Sequence, residues 1–124
     1  MQASNKITPF LNEVTTWKGL LNGLINENSF LKTRLSKAVD KENAREFIAR
    51  AELFHSEFIV KDEVMLGTRM EIREHEKKLV LMQKLKISPD ERACSRQDRL
   101  RNEMALLEIE FAGLKSSFDK YLLS

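Results

Sequence analysis

With one cysteine, Cys94, in 124 residues, the chain can form no internal disulfide and no multi-cysteine metal site. Histidine is almost as scarce, with only His55 and His75 present, so nitrogen ligands for zinc are few. Four glycines and two prolines are few for this length, and the β-branched runs between turn residues that mark strands are missing. Helix is therefore the expectation for the whole chain. Long apolar runs are also lacking. No window approaches the roughly 18 uninterrupted apolar residues of a membrane span, and the first five residues have no signal-peptide core. The expected address is the cytoplasm, with no membrane partner. Nor does charge of one sign dominate: 21 Lys and Arg stand against 19 Asp and Glu, a net +2, which disfavours nucleic acid as the partner of the chain as a whole. What is present is 42% hydrophobic and 32% charged residues, enough for one core under a large solvated surface. A single domain over residues 1–124 is the expectation.

The apolar residues fall into three seams with alternating steps of four and three, the spacing that keeps one helical face against a neighbour. The first is Phe10, Val14, Trp17, Leu21, Leu24, Asn28, Leu31, Leu35 and Ala38, in which only Asn28 is polar. The second is Phe47, Ala51, Phe54, Phe58, Lys61, Met65, Thr68, Ile72, His75, Leu79 and Met82. The third is Ala93, Gln97, Leu100, Met104, Leu107, Phe111, Leu114, Phe118 and Tyr121. Between Ala38 and Phe47 the phase slips by half a helical circumference, so the chain must turn near residues 40–44. Asn43 followed by Glu46, or Asp40, supplies a start signal there. Ser88, Pro89 and Glu91 read as an N-cap, a first-turn proline and the acid of a capping box, and Thr8 with Pro9 opens the first helix in the same way. Helices are expected over about 9–40, 44–87 and 89–122. Gly19 and Gly23, with the nearby asparagines, leave room for a kink in the first, although its unbroken seam favours one helix.

Short connections make consecutive helices antiparallel, so the expected fold is all-α: an elongated up-down-up bundle of three long helices with coiled-coil-like packing. The second helix, roughly 65 Å long at 1.5 Å per residue, is the longest. It is apolar beyond its seam at Ile48, Leu53, Ile59, Val60, Val64 and Leu66, which suits a middle helix contacted on two sides. If it pairs with the first helix outward from the turn, Phe10 lies level with His75 and residues 77–87 overhang. That overhang carries Leu79, Val80, Leu81, Met82, Leu85 and Ile87 around most of its circumference, more than one neighbour covers. These six residues are the candidate oligomer interface, with a fold-back of residues 1–8, capped by Ile7, as the alternative cover.

Glu52 and His55 have the Glu-x-x-His spacing of carboxylate-bridged di-metal bundles. Such a site needs two of these pairs and two further glutamates. The residue three before His75 is Ile72, and the two histidines are about 30 Å apart along one helix, so no metal site is expected. His55 is expected beside Tyr121 or Asp119 of the third helix. His75 and Asn28, as polar seam residues, are expected to fix alignment, with Arg101 near His75 and the imidazole pKa lowered. Neither a Gly-rich phosphate loop nor a serine elbow is present, and Cys94 lies far from His55, so no catalytic residue and no cofactor is expected.

Charge is unevenly placed. Residues 77–101 carry net +5, leaving −3 for the rest. Lys84, Lys86, Arg92, Arg96 and Arg99 form a candidate basic patch for phosphate or an acidic partner, against the plainer alternative of ordinary ion pairing. The functional expectation is a non-enzymatic helical interaction, scaffold or adaptor protein acting as a homodimer, with another helical protein as a further partner. An electrostatic binder and a metal-carboxylate bundle are the alternatives.

Overall fold

The seam spacing is realised in three helices. The computed structural model describes residues 6–124, with α1 at Ile7–Lys41, α2 at Arg45–Leu85 and α3 at Glu91–Leu123. Every seam residue is buried or half-buried, and the buried apolar side chains form one core along the rod. Cross-helix bonds give the direction of each pair. Lys18 binds Glu76 while Lys32 binds Asp62, and Glu71 binds Arg99 while Lys61 binds Glu110, so α2 runs against both neighbours. Glu13 binds Arg101 and Arg34 binds Asp119, so α1 and α3 run together.

An aromatic cluster fills the end near the first turn. Phe118 packs edge-on to Phe54 and Phe58 at 5.4 and 5.1 Å, and Tyr121 stacks on Phe47 at 4.7 Å. The Tyr121 hydroxyl donates to the Phe47 carbonyl at 2.7 Å, which satisfies the one polar atom of the cluster. α1 passes through Gly19 and Gly23 as one helix.

The helix ends differ from the capping signals. α1 begins at Ile7, two residues before Pro9, with Lys6 as a cap that makes no side-chain bond. Pro9 is tolerated there because first-turn N–H groups have no helical acceptor, and the fully buried Ile7 side chain draws that turn into the core. Neither Asn43 nor Asp40 caps α2. Its cap is Ala44, whose N–H is accepted instead by the Glu42 carboxylate at 3.1 Å. At α3 the cap is Asp90, which accepts from the Ala93 N–H at 2.8 Å, rather than Ser88. Upstream, α2 ends with Lys86 in the left-handed conformation, φ 58° and ψ 41°, and the Ile87 and Lys86 N–H groups bond back to the Met82 and Gln83 carbonyls. This Schellman closure uses residues through Ile87, and α3 starts after Pro89 with Asp90 as its cap.

Candidate functional site

In a triangular bundle both neighbours of a helix approach it from one side, because they also touch each other. α1 and α3 are joined by Glu13 with Arg101, Glu27 with Lys115 and Arg34 with Asp119. They cover the seam of α2 and leave its far side open. Leu53, Ile59, Val60, Val64, Leu66 and Met70 are exposed in consequence, and only Ile48 of the extra apolar set is half-buried. The expectation that two neighbours would cover these positions is thus corrected by the bundle's cross-section.

The overhang divides. Leu79 is fully buried against the bundle, level with the buried Ile7, so it belongs to the chain's own core and leaves the candidate surface. Val80 and Met82 are half-buried, while Leu81, Leu85 and Ile87 remain 55%, 59% and 47% exposed. Ile7 contributes to covering this end as the first residue of α1; residues 1–5, the remainder of the expected fold-back, lie outside the described residues.

The basic patch divides as well. Arg99 donates to Glu71 at 2.9 Å and Glu103 at 2.8 Å, so its charge is engaged and its pKa raised by those hydrogen bonds. Arg92 and Arg96 instead line an open cleft of about 230 Å³ with Lys78, Met82, Asp90 and His75. Among the described residues none of Lys78, Lys84, Lys86, Arg92 or Arg96 has an ion-pair partner.

His75 lies buried at the floor of that cleft. Its Nε2 donates to Gln97 Oε1 at 2.6 Å, and Gln97 passes the network on, donating to the Phe10 carbonyl at 3.2 Å and to Glu13 at 2.8 Å. Glu13 is held in turn by Arg101 at 2.5 Å, so the cation expected beside His75 reaches it only through Glu13 and Gln97, while the cations that act on the imidazole are Arg96, Lys78 and Arg99. Burial lowers the His75 pKa, opposed by the Gln97 bond and reinforced by Arg96, Lys78 and Arg99. The Arg101 hydrogen bond lowers that of Glu13 against its own desolvation. The lowered pKa favours the neutral imidazole, and its bond ties α2 to α3 while Gln97 ties α3 to α1. Phe10 and His75 are level, joined through this one glutamine. A second polar layer sits at Asn28, whose Nδ2 donates to the Phe58 carbonyl at 3.0 Å and to Asp62 at 2.7 Å. Its Oδ1 is buried with no hydrogen-bond partner.

His55 does not meet Tyr121 or Asp119, which bond to Phe47 and Arg34. It is exposed on the α1 side of α2, at the rim of an open cleft of about 620 Å³. Leu35, Val39, Ile48 and Ala51 give this cleft apolar walls, and Lys32, Ser36, Glu52 and Ser56 edge it. Among the described residues no three His, Cys, Asp or Glu side chains are grouped so as to hold a metal ion. Cys94 is half-buried. Among the described residues no helix is long and apolar enough to cross a membrane.

The open outer face of α2 and this cleft are the features that seam analysis missed. The signal was available in the spacing of Ile59, Leu66 and Met70, which repeats the four-three pattern on a second face. Comparison of the chain with family models, curated proteins and solved structures finds no match.

Proposed function

We propose that the chain is a non-enzymatic helical interaction protein that works as a homo-oligomer, with the end of α2 beyond Leu79 in or beside the contact. The observation that carries this reading is the exposure of Leu81, Leu85 and Ile87 at the tip, on the same helix as the exposed Ile59, Leu66 and Met70. Full burial of side chains of this size is worth about 1.5 to 3 kcal/mol each, so an uncovered tip is a strong drive to associate. The polar layers at His75 and Asn28 serve alignment in this account, since each is committed to bonds between helices. Light scattering at micromolar concentration is the test. Wild type is expected to be a dimer, and Leu81→Glu with Leu85→Glu to be a monomer that keeps its helical circular dichroism. A double variant that remains dimeric refutes the tip's role.

A second reading rests on Lys78, Arg92 and Arg96, three cations without ion partners among the described residues around one cleft. It makes this end a docking point for an acidic partner through charge alone. Binding of that kind weakens steeply as salt is raised.

A further inference from the structure

Along the outer face of α2, residues at steps of four and three form a second stripe centred on Leu66 and Met70, which are 51% and 67% exposed. Its charges are sorted by sign: Glu52 and Glu63 lie in the amino-terminal half, Arg73, Lys77 and Lys84 in the carboxy-terminal half. All five are exposed, and among the described residues only Lys77 is in an ion pair, with Glu74 of its own helix. The stripe is also symmetric except at Lys77, whose counterpart is Ile59. Measured from position 68, Glu52 and Lys84 are equally far in opposite directions, about 24 Å at 1.5 Å per residue; Glu63 and Arg73 are each about 8 Å away, and Leu66 and Met70 each about 3 Å.

We propose that the stripe is the contact between two copies of this chain, packed with their α2 helices antiparallel about a two-fold axis beside Thr68; this rests on the homo-oligomer reading above. The two-fold sets Leu66 against the partner copy's equivalent of Met70, and it meets every acid of the stripe with a base of opposite charge. A parallel copy would instead stack acid on acid and base on base. The same axis carries Val80 and Leu81 of one copy to the level of Ser56 and His55 of the other. Those residues edge the cleft walled by Leu35, Val39, Ile48 and Ala51. The uncovered tip and the unfilled cleft therefore become each other's cover, twice per dimer, so the contact closes on itself.

Cross-linking with single cysteines tests the arrangement in the full chain carrying Cys94→Ala. Gly67→Cys places a thiol beside the axis, where an added Cβ meets nothing within 4 Å. Lys84→Cys places one about 48 Å from its own copy in the antiparallel dimer. With a short bis-maleimide, Gly67→Cys is expected to cross-link to itself, Lys84→Cys alone to stay single, and Lys84→Cys mixed with Glu52→Cys to give the cross-linked pair. Self-linking of Lys84→Cys overturns the proposal, indicating a tip-to-tip contact or, where Gly67→Cys also links, a parallel one. A dimer by light scattering in which neither the Gly67→Cys chain nor the mixture links overturns this contact and leaves the homo-oligomer reading standing. A monomer by light scattering removes both.

Discussion

Replacing Asn28 by leucine should make the protein more stable, although it deletes two hydrogen bonds from the core. The Asn28 side chain is fully buried, and while its Nδ2 serves the Phe58 carbonyl and Asp62, its Oδ1 faces no donor. An orphaned buried acceptor costs about 1 to 3 kcal/mol. The bond to the Phe58 carbonyl is worth about 1 kcal/mol, and that to Asp62 at most about 1.5 to 3. Neither acceptor is stranded by the change: the Phe58 carbonyl lies inside α2, where the helical ladder supplies a donor, and Asp62 is half-exposed and keeps Lys32. Leucine adds about 1.5 to 3 kcal/mol of apolar burial at a seam position flanked by Leu24 and Leu31. The balance favours Asn28→Leu by about 1 to 2 kcal/mol, whereas Asn28→Ala, which loses the same bonds and opens a cavity, should cost about 1 to 3. Urea unfolding followed by circular dichroism at one protein concentration measures both, with the slope checked for constancy. A leucine variant less stable than wild type would show that the orphaned oxygen costs little and that the polar layer itself holds the helices together.

Two further outcomes follow from local chemistry. His75 is held neutral with its pKa below the ordinary 6.5, so below that pH the unfolded chain binds a proton that the folded chain resists; stability should be full above pH 6.5 and fall as pH drops toward the folded pKa, by up to about 1.4 kcal/mol per unit. His75→Gln, which can still donate to Gln97, should flatten that slope between pH 6.5 and 5, and an unchanged slope would assign the pH dependence to other groups. Among the described residues Lys86 is the one non-glycine residue with positive φ, so Lys86→Gly should stabilise the closure of α2 by about 1 kcal/mol, read as a shift in urea midpoint; a loss of stability would mean that the lysine makes an interaction worth more than its backbone strain.

The seams were legible because a four-three repeat of apolar side chains over thirty or more residues has few alternatives to a packed helix. Phe10 lying level with His75 was equally legible, since two helices joined by a short turn must run back along each other from it. The side on which His55 falls was not. Periodicity places that histidine at an edge of the α2 seam, but whether the edge faces α1 or α3 depends on the hand of the bundle, which the repeat does not carry. Arg99 is a similar case, because its partner Glu71 is set by the stagger of α2 against α3 and not by local spacing. The start of α3 was misplaced for another reason. Ser88 and Asp90 are both good caps around one proline, and local sequence alone does not choose between them. The apolar spacing marks the outer face of α2 and suits cover by two neighbours. Only the third contact of the triangle, between α1 and α3, shows that this cover is on one side.

The most direct test of association is the mass of the wild-type chain in solution. Sedimentation equilibrium across the low micromolar range should give twice the chain mass of 14.4 kDa, with a fit to a closed dimer and no larger species. A mass of one chain across that range, with the tip and the outer face of α2 left in water, would contradict the account.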